Sequence, residues 1–168
     1  DPLSPVLFNL VMDQLLRKIP SWAGIDVGGG VTSTALGFAD DTLLLSHSDV
    51  AMTYALQKVS DEGLKWGLVF NPKKCLYIAL EAAGKEKKMK ITLDKNFKIN
   101  NALIPPLPIE GKLRYLGAWF NSYGLVALKP EMNAWLGSLR KLRLKPNQKL
   151  YLLKVHLLPR LMHRAMFS

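Results

Sequence analysis

The sequence predicts an α+β fold, antiparallel strands packed on helices, followed by a small helical segment. Three observations carry this. Apolar residues recur at helical spacing near both ends of the chain. Short runs bounded by Gly, Pro, Asn and Asp fill most of the region between. The resulting order, helix, strands, helix, strands and then helices, suggests one mixed layer over 1–124 and a helical part over 125–168.

Each element has its own signal. Ser4 can cap free amides and Pro5 suits a first helical position, and Leu7, Phe8, Leu10, Val11, Leu15 and Ile19 then keep helical spacing as far as Pro20. The Gly28-Gly29-Gly30 run lacks the spacing and the Lys of a phosphate-binding loop and reads as a flexible hairpin connection. Ser33–Ala39 and Thr42–Ser46 read as strands meeting at Asp40-Asp41. A second helix is expected from Asp49, as its cap, to Trp66, closed by Gly67. Leu68–Phe70 and Cys75–Leu80 are expected strands around an Asn71-Pro72 turn. Glu81–Lys90 reads as a charged loop, and Ile91–Leu93 with Phe97–Ile99 as a hairpin. Pro105, Pro106 and Pro108 mark an extended linker before a strand over Leu113–Phe120. From Lys129 onward one apolar stripe joins Met132, Trp135, Leu136, Leu139 and Leu142; another joins Leu150, Leu153, Val155, Leu157 and Leu158 and ends at Pro159.

Composition narrows the class. The 168 residues hold 23 Lys and Arg against 13 Asp and Glu, a net charge of +10. The charge is divided: residues 1–60 are net −3, which leaves +13 on the remaining 108 residues, with clusters at Lys85–Lys90 and Arg140–Lys149. Basic surface beside a carboxylate centre suits a polyanion held by one part and processed by another, although solvated basic faces are equally common. One cysteine excludes an internal disulfide framework and a multi-cysteine zinc site, and Cys75 reads as a small core side chain. His47, His156 and His163 are not spaced as a metal site. The longest stretch free of charge, Tyr115 to Leu128, falls short of the ~18 apolar residues that a spanning helix needs. A start at Asp1 with no leader, and an end just after a dense apolar run, read as an excerpt of a larger polypeptide.

Phe38-Ala39-Asp40-Asp41 is the pattern with chemistry in it. Adjacent carboxylates on a hydrophobic hairpin repel each other, and neither gains from desolvation. Hard divalent cations reverse that cost, since magnesium is commonly held by one or two carboxylates and substrate phosphates. Two aspartates are also ordinary turn residues.

Four segments stand in order: Asp-Pro-Leu-Ser-Pro-Val-Leu-Phe-Asn at 1–9, Phe-Ala-Asp-Asp at 38–41, Gly-Leu-Val-Phe-Asn-Pro-Lys-Lys-Cys at 67–75, and Arg-Tyr-Leu-Gly at 114–117. Together they resemble the reverse transcriptases of non-LTR (LINE-type) retrotransposons, above all the site-specific class that inserts into ribosomal RNA genes. Leu-Lys-Pro-Asn-Gln-Lys-Leu at 144–150, with His-Leu-Leu-Pro-Arg at 156–160, looks like that class's thumb. The likeness covers essentially the whole chain.

The resemblance implies a partial polymerase palm over 1–124, a helical thumb over 125–168, and RNA-directed DNA polymerase activity with two Mg²⁺ ions. Asp40 would be the principal metal ligand, with Asp41 assisting, because consecutive strand residues point to opposite faces. Phe38 and Ala39 would shape the floor near the primer end. Pro2, Leu3, Ser4 and Asn9 would abut the incoming nucleotide and template. Lys74, or its neighbour Lys73, would approach the triphosphate, where a cation neutralises charge or protonates the departing pyrophosphate. Tyr115, Leu116 and Gly117 would grip the primer, and Arg140, Lys141, Arg143, Lys145 and Lys149 would contact phosphates without reading sequence. The partners would be template RNA, a DNA primer strand and deoxynucleoside triphosphates, with action in the nucleus. The family's metal site takes a further aspartate from an upstream strand, so the 168 residues alone are expected to be inactive. The other expectations are an intron- or bacterial-type reverse transcriptase, or a non-catalytic nucleic-acid-binding relic.

Overall fold

A computed structural model of the chain describes residues 3–84, 88–126, 129–159 and 162. Among these, four α-helices accompany eleven short strands, and every sheet is antiparallel. The mixed α and β content agrees with the expected class. Contacts divide the chain into two compact units, Asp1–Pro108 and Ile109–Ser168. That division rests on packing density, whereas the expected change at 124/125 rests on the onset of helical periodicity.

In the first unit, α1 spans Leu3–Leu16. Ser4 therefore lies inside the helix instead of capping it, and Pro5 is accommodated in the first turn, where no intrahelical partner is lost. The helix closes before Pro20 because Lys18 N and Ile19 N bond three residues back, at 3.1 Å each, which tightens the last turn. Of its apolar repeat, Leu15 and Ile19 are buried, while Leu7 and Leu10 face solvent. Strands β1 (Ile25–Asp26) and β2 (Thr32–Ser33) then pair across the glycine run. Gly28, Gly29 and Gly30 all have positive φ, so the run does act as a hairpin connection.

Strands β3 (Ala35–Phe38) and β4 (Asp41–Leu44) form the next hairpin, described below. Helix α2 runs from Asp49 to Lys65, but its cap is Ser48, whose hydroxyl accepts a bond of 3.3 Å from Ala51 N. Serine one position earlier leaves Asp49 in the first turn, where its charge opposes the positive end of the helix dipole.

The following segment departs furthest from expectation. Leu68–Phe70 makes no strand; Phe70 packs into the core, and its carbonyl accepts from Asn100 Nδ2 at 2.6 Å. Residues 75–78 pair only through an isolated parallel bridge from Tyr77 to Pro106, so the proline stretch becomes their partner. Strand β5 starts at Ala79 and runs to Ala83, pairing with β6 (Lys88–Thr92). What reads as a charged loop is thus a hairpin. Its alternation is real, with Leu80, Ala82, Met89 and Ile91 on one face, but the lysines hide it. Ile91 is consequently spent on β6, and β7 (Lys98–Ile99) pairs instead with β8 (Ala102–Leu103). The loop between them, Asn100-Asn101, has φ of 49° and 62°, the left-handed geometry that asparagine tolerates.

Two clusters fill this unit: Leu15, Ile19, Ala23, Ala51, Ala55 and Val59 form one, and Leu56, Phe97, Ile99 and Ile104 the other. Leu44 and Phe70 pack against both. Burial of this kind contributes roughly 25 cal/mol per Å² of apolar surface, and it holds the β3–β4 hairpin from beneath through Ala35 and Leu44.

In the second unit the expected Leu113–Phe120 strand is broken into β9 (Leu113–Tyr115) and β10 (Ala118–Asn121), with β11 (Gly124–Leu125) completing a three-stranded sheet. Helix α3 spans Lys129–Lys141, leaving Leu142 outside it, and α4 spans Pro146–Leu152 before a wider-wound turn over Leu153–Leu157. Pro146 sits at the start of α4, and Gln148 Oε1 accepts from Lys145 N at 3.0 Å. The expected stop at Pro159 falls at the edge of the described residues; Arg160 and His163 lie outside them. Among the described residues no helix is long and apolar enough to cross a membrane.

Candidate metal-binding hairpin

Register builds the site. Phe38 pairs with Asp41, Gly37 with Thr42, Leu36 with Leu43 and Ala35 with Leu44. Only Ala39 and Asp40 remain to turn the chain, so Asp40 occupies the tip and Asp41 the first strand position after it. Residues that pair directly share a face. Asp41 therefore stands on one side of the ribbon with Leu36, Phe38 and Leu43, all solvent-exposed, and the other side meets the core through Ala35 and Leu44.

The turn is strained. Ala39 has φ of 52°, a conformation that costs an L-residue with a β-carbon roughly 1–2 kcal/mol. Positive φ at the first loop position and not the second is the II′ pattern, where glycine is preferred. A non-glycine residue in this conformation is strain of the kind that gathers at functional sites.

Both carboxylates are exposed, and among the described residues neither enters an ion pair. Two unneutralised hard oxygen donors in neighbouring positions fit a share of a magnesium shell. Among the described residues no group of three or more His, Cys, Asp or Glu is gathered to hold a metal, so the pair makes an incomplete set. Thr42 Oγ1, buried on the opposite face, has no hydrogen-bond partner among the described residues.

The other expected residues are distributed as follows. Ser4 and Asn9 are exposed on α1, which lies against β3, with Leu16 and Ala35 packed on the same core cluster; Pro2 lies outside the described residues. Lys73 and Lys74 are exposed on a 3-10 turn, Pro72–Lys74, in the same compact unit as the hairpin. Asn71 sets that turn, its Oδ1 accepting from Lys73 N at 3.0 Å, while its carbonyl accepts from the Cys75 thiol at 3.3 Å. Burial pushes the Cys75 thiol up from its ordinary value, in keeping with a packing role.

Tyr115, Leu116 and Gly117 belong to the second unit. Tyr115 pairs with Ala118, and Leu116 and Gly117 turn the chain with φ of 47° and 83°. Positive φ at both loop positions is the I′ pattern, and leucine is a poor choice for the first of them. Arg140, Lys141, Arg143 and Lys145 are exposed around the α3–α4 connection. Lys149 differs, because its Nζ donates to the Arg140 carbonyl at 2.9 Å and so closes the C-terminal end of α3.

A clamp at the base of the β5–β6 hairpin has no counterpart in the sequence reading. Lys95 Nζ bonds Asp49 Oδ2 at 2.5 Å and also reaches Glu81 Oε1. The Tyr77 hydroxyl donates to the carbonyls of Leu93 and Lys95, and Tyr77 meets Phe97 edge-on. The two carboxylates raise the Lys95 ammonium above its ordinary range, and Lys95, with help from Thr92, holds Glu81 below the usual one. Asp49 and Lys95 are 46 positions apart, so no local pattern announces the pair.

Residues 1–120 match the sequence signature described as "Reverse transcriptase (RNA-dependent DNA polymerase)". This chain belongs to the reverse transcriptase family. Its relatives carry the matter further. It is 37% identical over 168 residues to a retrovirus-related Pol polyprotein from the type-1 retrotransposable element R2 of Nasonia vitripennis, which covers all of this chain and 16% of that protein. It is 37% identical over 166 residues to the Pol polyprotein from type-2 retrotransposable element R2DM of Drosophila melanogaster, covering 98% of this chain and 16% of the relative. The Pol polyprotein of an R2 element from Popillia japonica is 38% identical over 167 residues, with 97% and 27% covered. The expected kinship with retrotransposon reverse transcriptases is thus met, and the chain spans between about a sixth and a quarter of the length of these relatives.

Proposed function

We propose that this chain supplies the palm and part of the thumb of an RNA-directed DNA polymerase that copies retrotransposon RNA from a DNA primer. The observation that carries the proposal is the β3–β4 tip, where two exposed aspartates, neither ion-paired among the described residues, follow the strained Ala39 in a reverse transcriptase sequence. In the reaction the primer 3′-hydroxyl oxygen bonds to the α-phosphorus of a deoxynucleoside triphosphate, the bond to the pyrophosphate oxygen breaks, and the hydroxyl proton is lost to solvent. Two bound Mg²⁺ ions supply the charge that the attacking and leaving oxygens need.

On this reading Asp40 holds metal from the tip, and Asp41 supports it from the first strand position. Phe38 and Ala39 floor the site beside the primer end. Lys74 Nζ, with Lys73 as its neighbour, carries the proton or positive charge for the departing pyrophosphate. Ser4 and Asn9 face the nucleotide and template from α1, and Pro2, outside the described residues, belongs to the same segment of the sequence. Tyr115, Leu116 and Gly117 hold the primer strand, and Arg140, Lys141, Arg143 and Lys145 contact phosphates of the duplex, with Lys149 shaping their helix end. Action is in the nucleus, where a chromosomal strand supplies the primer.

Primer extension on an RNA template tests this, with a longer polypeptide that contains these residues and its Asp40→Ala variant. Incorporation by the parent and its loss in the variant are expected; equal incorporation removes the catalytic assignment. The 168-residue chain alone is expected to extend no primer, since the family resemblance calls for a further metal-holding aspartate from a strand upstream of these residues.

A further inference from the structure

We infer that the β5–β6 hairpin is a second nucleic-acid contact, whose basic face lies along the sugar–phosphate backbone of a paired RNA–DNA duplex. The choice of duplex rests on the polymerase reading above; the surface itself does not. Register places Lys88 opposite Ala83 and Lys90 opposite Glu81, so these four side chains share one face of the ribbon. Both lysines are exposed, and among the described residues neither is in an ion pair.

Glu81 is the one acid on that face among the described residues, and it is already committed to Lys95. The clamp therefore does two things. It fastens the base of the ribbon to Asp49 at the start of α2, and it engages Glu81 with Lys95, so that Glu81, although it still feels the charge of Lys90, makes no ion pair with that lysine. Next to the lysines, Ala83, which pairs with Lys88, and Gly84 carry little or no side chain. Lys is a point charge suited to phosphates.

The same residues indicate which nucleic acid fits. The strands carry no aromatic side chain on which an unpaired base could stack, and no Asn, Gln or Arg that could read a base edge. Single-strand binders rely on such stacking, whereas backbone contact alone suits paired strands, which present phosphates in a regular row.

The test is equilibrium binding of the 168-residue chain to a labelled RNA–DNA heteroduplex and to single-stranded RNA of the same sequence, over a range of salt. Each phosphate-contacting lysine contributes about 1 to the slope of log K against log salt. Replacing both lysines (Lys88→Ala with Lys90→Ala) should weaken duplex binding several-fold and reduce the slope by about 2. A charge-matched control at exposed positions elsewhere, Lys18→Ala with Lys112→Ala, should leave the slope within a few tenths of wild type. The pair Lys88→Gln with Lys90→Gln, which keeps much of the side-chain stems, should match the alanine pair, with unchanged circular dichroism in both. Unchanged slopes, or a loss no larger than the control's, overturn the inference, and so does equal loss on single-stranded RNA. Duplex binding is read without catalysis, so failure of primer extension leaves this result standing, and the reverse.

Discussion

Two hairpins of the first unit close with two-residue turns that enter the left-handed region, yet they are built in opposite ways. At Asn100-Asn101 the residue type suits the geometry, and the turn is tied inward: the Ser60 hydroxyl bonds Asn100 Oδ1 at 2.5 Å and Asn100 Nδ2 bonds the Phe70 carbonyl at 2.6 Å. At Ala39-Asp40 the residue type does not suit the geometry, and the tip is untied, with exposed acids and an exposed Phe38 beside it. The first turn serves the fold. The second carries strain while its acidic groups face solvent, in keeping with the metal-holding role proposed for them above.

The largest effect on stability is expected at the tied turn. Asn100→Ala removes two part-buried hydrogen bonds, each contributing about 1 kcal/mol, and adds left-handed strain, so the chain should lose roughly 2–3 kcal/mol in urea unfolding. The opposite sign is expected at the other tip. Ala39→Gly relieves about 1–2 kcal/mol of strain against about 0.5–1 kcal/mol of added chain entropy, a net gain near 0.5 kcal/mol. Destabilisation by Ala39→Gly would mean that the turn is not strained, and the contrast would fail.

A smaller, pH-dependent effect is expected from Lys95→Met. Glu81 titrates below its ordinary range in the folded chain, so its contribution is complete above the ordinary value of about 4.3 and is lost as pH falls through the lowered one. Lys95 titrates above its ordinary range, so its contribution is present below about 10.4 and fades only in stronger base. The melting-temperature difference between wild type and Lys95→Met should therefore be flat from about pH 5 to 10 and narrow below about pH 4. A difference that widened in acid would contradict the clamp. Smallest of all is Phe38→Ser, expected within about 0.5 kcal/mol because this ring is 67% exposed.

Some of this was readable in the chain and some was not, for definite reasons. The Phe38–Asp41 hairpin, the span of α2 and the helical tail each follow from local pattern, and the structure agrees with them to within a residue or two at the ends. The β5–β6 hairpin was hidden because lysines on a solvent face look like loop composition. The residues 75–78 were misplaced because their partner, Pro106, lies far along the chain, and the break at Leu116 was missed because leucine gives no turn signal. Within the site, the acids announce themselves by sequence, but the strain at Ala39 and the capture of Lys149 by the Arg140 carbonyl depend on backbone geometry that side-chain identity does not encode.

The most direct measurement sets the two tips against each other in one assay. Primer-extension rates are compared for a longer polypeptide carrying Asp40→Asn and for the same polypeptide carrying Asn101→Gly. Losing a metal-holding carboxylate should cost several kcal/mol of transition-state stabilisation, so the first rate should fall on the order of 10³-fold while the second stays at the parent's level. Similar rates in the two would contradict the claim that the acidic tip holds the ions that drive nucleotide addition.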